Sequence, residues 1–134
     1  MGSFGKPKTS VVVTVFNEEA TINQLIFALK HQTAKNYEII IVDGGSTDGT
    51  LKILKKYKNI KTLACPGNRS VGRNHGVSKA RGQIIAFTDA GCIPRSDWLE
   101  KLTAPFVDQS VSVVSGYYHG LAENIFQKCL IPYV

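Results

Sequence analysis

IIIVDGGSTDGT, residues 39–50, decides the fold, because an unbroken apolar run ends there on an aspartate that is followed by glycines. A β-branched run of this kind predicts a strand buried on both faces, as in a parallel sheet. In an open α/β sheet, ligands bind outside the carboxyl ends of the strands, so Asp43 is predicted to face a ligand. The alternative is a turn aspartate whose side chain accepts from the backbone of Gly45 or Ser46.

A second stretch, IIAFTDAGC at residues 84–92, repeats this pattern. Asp89 follows the buried run and precedes Ala90 and Gly91, which are small enough to let its carboxylate face a cleft. A hard oxygen ligand in such surroundings suits Mg²⁺ or Mn²⁺ bound to a diphosphate. The two strand-end acids together predict a site for a nucleotide and a divalent metal, with a turn role for Asp89 as the alternative.

Strands and helices alternate along the chain, which implies right-handed βαβ units and a three-layer α/β/α fold with a mainly parallel sheet. Asn17 and Asp48 are predicted to cap the first two helices and Ser96 the last. The predicted strands are 11–16, 37–42, 60–64, 84–88 and 111–116. The predicted helices are one that begins after Asn17 and carries an apolar stripe over 22–29, then 49–57, 70–80 and one after Ser96 that Pro105 limits.

The composition is typical of one globular domain, since 43% of the 134 residues are apolar and 19% are charged. We expect a disordered start or cloning remnant at 1–9 and a single domain at 10–134. No run approaches the roughly 18 apolar residues of a membrane span, and no signal-peptide pattern is present. The cysteines form no Cys-x-x-Cys pair, which favours a reducing, cytoplasmic compartment: Cys65, Cys92 and Cys129.

The net charge of +6 raises the question of an anionic partner. Much of the excess lies in one lysine-rich stretch, 52–61, whose one aromatic residue is Tyr57. A solvated basic face is one interpretation, and attraction to a diphosphate ligand or to the inner face of an anionic membrane is the other. Nucleic acid is not a predicted partner.

Arg69 and Arg73 lie one turn apart at the start of a predicted helix, where cations oppose the helix dipole. A bound phosphate group would justify them, and an ordinary exposed surface is the alternative. The chain has no Ser/His/Asp set, no Walker loop and no Gly-x-Gly-x-x-Gly after a strand. Acyl transfer, P-loop hydrolysis and dinucleotide redox chemistry are therefore disfavoured.

The tail carries a last amphipathic segment at 121–130, with Ile125, Phe126 and Leu130 on its apolar side. An apolar helix with nothing after it predicts either a domain that is incomplete at its C-terminus or a surface that a partner covers. Dimerisation through this face is the specific expectation.

Four stretches in this order resemble the inverting glycosyltransferase family 2, which has the Rossmann-like GT-A fold. They are VVTVFNEE at 12–19, IVDGGSTDGT at 41–50, RSVGRNHG at 69–76 and TDAGCIP at 88–94, the last followed by Trp98 and Leu99. The resemblance covers roughly residues 10–116. It implies that the chain is the donor-binding portion of an enzyme that uses a nucleoside-diphosphate sugar.

The resemblance also implies a role for each candidate residue. The base and ribose would be held by three positions at the end of the first strand and one at the end of the second: Thr14, Phe16, Glu18 and Asp43. Arg69 and Arg73 would lie near the diphosphate. Asp89 matches the first residue of the family's Asp-x-Asp motif, which holds Mg²⁺ or Mn²⁺.

Two departures from the family pattern stand out. Gly91 occupies the place of the second motif aspartate, so Asp97, another side chain or water would have to complete the metal site. The family's general base and acceptor-binding segment follow the fifth strand, where this chain has no matching motif. The catalytic residues are therefore unknown, as are the acceptor, which could be a sugar, lipid or protein, and the donor sugar.

The implied chemistry is a single displacement, in which a deprotonated acceptor hydroxyl attacks the anomeric carbon and inverts it. Uridine is the commonest donor base in the family, with guanosine and thymidine open. A non-catalytic nucleotide-binding or protein-interaction module is the alternative function. A sugar nucleotidyltransferase ranks last, because no glycine-rich basic loop follows the first strand.

Overall fold

The computed structural model describes residues 8–119. The elements in this part of the chain are β1 Thr9–Val15, α1 Ile22–Lys30, β2 Tyr37–Asp43, α2 Thr50–Leu54, β3 Lys61–Ala64, α3 Arg69–Ser78, β4 Ile84–Phe87, α4 Trp98–Thr103 and a 3₁₀ helix, Ala104–Val107. The predicted alternation of strand and helix is confirmed from β1 to α4.

The four strands form one parallel sheet in the order β3-β2-β1-β4. In the register between β1 and β2, Val15 lies opposite Asp43, so these two strands end together. The chain builds outward from β1 to β3 and then returns to the other side of β1 for β4. This reversal places the connections after β1 and β4 side by side at the carboxyl edge.

Both faces of the sheet are covered by helices, which confirms the three layers. On one face, alternate β1 residues pack with apolar residues of α1, α2 and α4: Val11, Val13, Val15, Leu25, Leu54 and Leu99. On the other face, Val12 clusters with Ile40 and Val42 of β2, and α3 packs above them. This double burial explains why the strands are continuous apolar runs rather than alternating ones.

Two glycines bring α3 close to the sheet. A Cβ at Gly76 would lie 2.5 Å from Cγ1 of Val12, and one at Gly72 would lie 3.0 Å from Cγ2 of Thr14. A larger side chain at either position would push the helix outward. The glycines that weaken the helical propensity of this segment are therefore required by its packing.

The predicted fifth strand is wrong for the described residues. The stretch 111–116 forms no strand, and the side chain of Val113 is 84% exposed. Its alternation of serine and valine favours an extended conformation, but a strand requires a ladder partner, and none is present between residues 8 and 119. The predicted tail segment 121–130 and its dimer interface lie outside the described residues.

Two predicted caps are wrong and one is displaced. Helix α1 begins after Thr21, because Asn17 adopts a left-handed conformation with φ 52°. Asp97, rather than Ser96, precedes α4. Gly49 precedes α2, although Asp48 Oδ1 still accepts from the backbone N–H of Thr50.

Smaller differences concern boundaries and general properties. Strand β1 begins at Thr9, within the start expected to be disordered, and α2 ends at Leu54, three residues early. No helix among residues 8–119 is long and apolar enough to cross a membrane. Cys65 and Cys92 are free thiols.

Candidate functional site

A cleft of about 400 Å³ opens at the carboxyl edge, where the chain reverses direction between β1 and β4. This is the topological switch point at which open α/β sheets bind ligands. The cleft is lined by the ends of β1, β2 and β4 and by the start of α3: Thr14, Val15, Phe16, Glu18, Val42, Gly44, Gly67, Asn68, Arg69, Gly72, Asp89, Ala90 and Gly91. The structure thus brings together five of the seven predicted site residues.

The loops after β1 and β2 are joined by reciprocal hydrogen bonds, and we call residues 17–19 and 46–50 the loop clamp. Asn17 Oδ1 accepts from the backbone N–H of Thr47 at 2.8 Å, and the N–H of Asn17 donates to Ser46 Oγ at 2.9 Å. A second such pair joins Glu19 to the 48–49 segment. The N–H of Glu19 donates to Asp48 Oδ2 at 3.1 Å, and the N–H of Gly49 donates to Glu19 Oε2 at 3.0 Å. The clamp fixes the loop from which Phe16 and Glu18 reach the cleft.

The clamp holds the loop that carries two of the predicted site residues, Phe16 and Glu18. Phe16 is 58% exposed and lines the cleft, where a ligand could cover its ring. Glu18 is held at both ends, because its N–H donates to Thr50 Oγ1 at 2.9 Å and its Oε2 accepts from Thr21 Oγ1 at 2.6 Å. Thr14 lies on the penultimate position of β1 and lines the same cleft.

Asp43 is buried at the end of β2, with 1% of its surface exposed. Its Oδ2 accepts from the backbone N–H groups of Gly45 and Ser46, each at 3.0 Å, which is the turn role expected as the alternative. Its Oδ1 is buried and has no hydrogen-bond partner. An unpartnered carboxylate oxygen is costly to bury, so the turn role alone does not explain this side chain.

Asp89 and Arg73 form an ion pair in which Nη2 and Oδ1 lie 2.7 Å apart, and both side chains are partly exposed. The guanidinium also lies 5.9 Å from the ring centroid of Phe87. Arg73 does not itself line the cleft; it meets the site through Asp89. The sequence predicted both residues near the diphosphate but gave no sign that they would contact each other.

The start of α3 faces the cleft through Arg69, which is its first residue, and Asn68, which is its N-cap. The Oδ1 of Asn68 caps the helix by accepting from the N–H of Val71 at 3.0 Å. The N-terminal N–H groups and the dipole of a ten-residue helix favour an anion at this end. Arg69 adds a side-chain cation to the same position.

The described carboxylates do not make a complete metal centre. No group of three His, Cys, Asp or Glu side chains that could hold an ion exists between residues 8 and 119. Asp97, the predicted substitute, instead pairs with Lys101 at 2.7 Å and Arg95 at 3.5 Å. The hydrogen bond from Lys101 and the two positive charges hold the pKa of Asp97 below its ordinary value.

Asp89 does fit an ion that brings most of its own ligands. Mg²⁺ in nucleotide sites keeps several waters and is bound through one or two carboxylates together with the substrate's phosphates. Around Gly91 there is open space, since a Cβ built there meets no atom within 4 Å. Phosphate oxygens and water could therefore occupy the volume next to Asp89.

The sequence analysis missed Tyr118, which belongs to the stretch predicted as the fifth strand and its exit. Burial, together with the negative charges of Cys92 and Asp89, raises the pKa of the Tyr118 hydroxyl. The Tyr118 hydroxyl therefore lies near the Asp89–Arg73 pair. No motif marks Tyr118, so no signal in the sequence could have placed it there.

A parallel sheet with a cleft at its switch point, strand-end acids and a helix N-terminus facing that cleft is typical of α/β proteins that bind a ligand at the carboxyl ends of their strands. Residues 10–130 match the Glycosyl transferase family 2 profile, and the chain belongs to that family. The predicted resemblance is thus confirmed.

Two curated relatives illustrate how much of a family member this chain represents. It is 33% identical over 118 residues to glycosyltransferase AglE of Haloferax volcanii, covering 82% of this chain and 39% of that protein. It is 36% identical over 135 residues to a cholesterol galactosyltransferase of Borreliella burgdorferi, covering 96% of this chain and 38% of that protein. The chain therefore spans about two-fifths of the length of these relatives.

Solved structures of glycosyltransferases share the GT-A fold. S. aureus TarS 1–349 in complex with UDP-GlcNAc has a TM-score of 0.64 at 29% identity, over 76% of this chain and 31% of that one. Glucosyl-3-phosphoglycerate synthase from Mycobacterium tuberculosis, in complex with Mn²⁺, UDP and phosphoglyceric acid, has a TM-score of 0.64 at 25% identity. The match covers 78% of this chain and 40% of that chain.

Proposed function

We propose that this chain binds the nucleoside-diphosphate sugar, UDP-linked by preference, for an inverting glycosyl transfer. The observation that carries the proposal is the buried, unpartnered Oδ1 of Asp43 at the edge where the cleft opens. An ionised carboxylate is a pure acceptor and needs an N–H or O–H donor. The imide N–H of uracil and the hydroxyls of ribose are such donors.

Asp43 lies behind the cleft, between the lining residues Val42 and Gly44, and the cleft residues themselves support a donor that runs from this position toward Asp89. Phe16 offers an exposed ring beside the base, and Thr14 and Glu18 offer polar contacts along the same wall. Arg69 and the N–H groups that open α3 suit the diphosphate at the far end. UDP complexes of the TarS fragment and of the mycobacterial synthase add weight to this assignment.

A divalent cation fits the Asp89 end of the site. Asp89 would hold it, and when bound it neutralises the charge of the departing nucleoside diphosphate. Mn²⁺ in the mycobacterial synthase complex favours this assignment. Arg73 contacts Oδ1 of Asp89 and so competes with the cation for this carboxylate, although its positive charge would also attract the diphosphate.

The transfer step itself needs an acceptor hydroxyl and a general base, for which no described residue lies in a matching motif. We assign this chain the donor half of the reaction and the cytoplasm as its location, the latter from cysteine usage alone. The acceptor stays unassigned.

Calorimetric titration with UDP, GDP and dTDP, each with and without Mn²⁺, tests the proposal. We expect saturable UDP binding that Asp43→Asn weakens about tenfold or more, since a hydrogen bond to a charged group contributes roughly 1.5–3 kcal/mol. Asp108→Asn is the matched control, because Asp108 lies in the loop after the 3₁₀ helix and accepts only from Ser110. Absence of binding to all three nucleotides would instead favour the non-catalytic interaction module.

A further inference from the structure

The edge of the sheet opposite the cleft carries a row of cations. All four strands are parallel, so their amino ends meet at this edge. Cations lie at or just before the start of each strand, and we call the set the basic edge: Lys8, Lys35, Lys58, Lys61, Lys79 and Arg81. The sequence analysis noticed only the lysines of 52–61, because the others are scattered along the chain and the fold alone brings them together.

Hydrogen bonds show that these cations are neighbours. The N–H of Lys8 donates to the carbonyl of Asn36 at 2.8 Å, which joins the start of β1 to the turn before β2. Lys61 Nζ donates to the carbonyl of Lys79 at 3.0 Å, which joins the start of β3 to the end of α3. Lys58, Lys61 and Arg81 line one shared recess of about 330 Å³.

Carboxylates at this edge neutralise one member of the row, Arg81, and leave its lysines without an ion pair among residues 8–119. The side chain of Glu38 in β2 is 12% exposed and accepts from Ser10 at 2.6 Å and from Arg81 at 3.1 Å. Although burial opposes it, these hydrogen bonds hold the pKa of Glu38 below its ordinary value. Glu100, on α4, accepts from Thr33. Between residues 8 and 119, no ion pair involves any of the five lysines of the basic edge.

Helix dipoles explain only part of this arrangement. A cation after the last turn of a helix is favourable, which accounts for Lys79 at the end of α3. Lys61 serves the same helix end, since its Nζ donates to the carbonyl of Lys79. Helix α3 thus accounts for two of the six cations and leaves Lys8, which directly precedes β1, unexplained.

We propose that the basic edge docks on an anionic phospholipid surface. Four strand starts spaced about 4.8 Å apart spread the cations over roughly 14 Å, wider than a single phosphate group. Clusters of this size bind anionic headgroups through summed electrostatic attraction. Nucleic acid is the poorer fit, because the nearby Tyr37 and Tyr57 are half-buried and their hydroxyls are bound to Leu29 and Asn23, leaving no ring to stack a base.

This docking fixes the orientation of the protein. The cleft lies at the opposite edge, with the acidic Glu18 and Asp89 facing away from the anionic surface. A dissolved nucleotide can then enter the cleft without crossing the headgroup layer. The inference goes beyond donor binding and does not depend on it.

Co-sedimentation with phosphatidylcholine vesicles, with and without phosphatidylglycerol, tests the inference on the whole chain. We expect binding only to the anionic vesicles, weakened by salt and by about thirtyfold in Lys58→Gln/Lys61→Gln, since each lysine near the surface contributes about fivefold. Lys52→Gln/Lys55→Gln is the control, because it removes two exposed charges from α2 and its C-cap, which are not part of the basic edge. Circular dichroism of each variant verifies folding.

Three results would overturn the inference: no binding to anionic vesicles, equal binding to neutral vesicles, or an equal loss in both double variants. Competition provides a fourth test. If a DNA duplex bound the chain more tightly than the vesicles did and displaced them at the same salt concentration, the basic edge would be a nucleic-acid-binding surface. If inorganic phosphate alone displaced them at low concentration, the recess would be a site for a free anion.

Discussion

Nη2 of Arg73 lies 2.7 Å from Oδ1 of Asp89, so a guanidinium already contacts the carboxylate to which the family pattern assigns a metal ion. Gly91 provides no second carboxylate beside it. A divalent ion at this position would therefore contact a single carboxylate, that of Asp89, which is already paired with Arg73. We expect weak metal affinity in the absence of nucleotide and a large gain once a diphosphate supplies further oxygens.

Replacing Arg73 with glutamine should free Asp89. We expect Arg73→Gln to bind Mn²⁺ up to about fivefold more tightly in the absence of nucleotide, since a partly exposed ion pair is worth at most about 1 kcal/mol. Titration followed by the electron paramagnetic resonance of free Mn²⁺ measures this. Arg81→Gln, which breaks the ion pair with Glu38 at the other edge of the sheet, is the control. An unchanged Mn²⁺ affinity in Arg73→Gln would contradict competition between Arg73 and the metal ion for Asp89.

Adding the missing carboxylate should create a stronger metal site. The open space around Gly91 admits an aspartate without displacing a neighbour. We expect Gly91→Asp to bind Mn²⁺ about tenfold more tightly than the native chain, because a second hard oxygen ligand joins Asp89. Gly91→Asn has the same size without the charge, and equal affinities of the two variants would show that residue 91 does not reach the ion.

The close contact of α3 with β1 should reverse the usual effect of a glycine-to-alanine change. In an open helical position alanine is favoured by about 1 kcal/mol, but at Gly76 its Cβ would lie 2.5 Å from Cγ1 of the buried Val12. We expect Gly76→Ala to lower the free energy of unfolding by about 1–3 kcal/mol. Urea unfolding measures this change in stability. Asn74→Ala, at an exposed position of α3, is the control. Stabilisation by Gly76→Ala would contradict the close contact of α3 with Val12.

The loop clamp should weaken in acid. The Thr50 hydroxyl, with the N–H groups of Thr50 and Glu19, holds the pKa of Asp48 below its ordinary value of 3.8. A carboxyl group with a lowered pKa stabilises the fold above its unfolded pKa, and this contribution disappears as the pH falls through the folded pKa. We expect Asp48→Asn to be less stable than the native chain near neutral pH and the difference to shrink toward about pH 3.

Thermal unfolding of Asp48→Asn and of the native chain across this range tests the acid effect. A stability difference that stayed constant from neutral to acidic pH would contradict it.

Strand positions and the two strand-end acids could be predicted because each depends on local sequence. A continuous β-branched run followed by aspartate and glycine specifies a buried strand and its exit whatever surrounds it, as β2 and Asp43 show. The parallel α/β class was predicted from the alternation of strands and helices, whereas the strand order β3-β2-β1-β4 is known only from the structure.

Other features depend on contacts between distant segments and could not be predicted. Asn17 has the composition of a cap, but its hydrogen bonds with Ser46 and Thr47 draw it into a left-handed turn, so α1 begins later. Arg73 and Asp89 are 16 positions apart and meet because α3 packs beside the end of β4. The serine-valine alternation of 111–116 looks like a strand, yet no ladder partner accompanies it among the described residues.

The central claim is that UDP occupies the cleft between the ends of β1 and β4 and reaches Asp43. Amide chemical-shift mapping of the isotope-labelled chain during titration with UDP tests it most directly. We predict that the largest shifts fall at 14–18, 43–46, 67–72 and 89–91 and that they are strongly reduced in Asp43→Asn. Shifts concentrated instead around Lys58, Lys61 and Arg81, or no shifts at saturating UDP, would contradict the account.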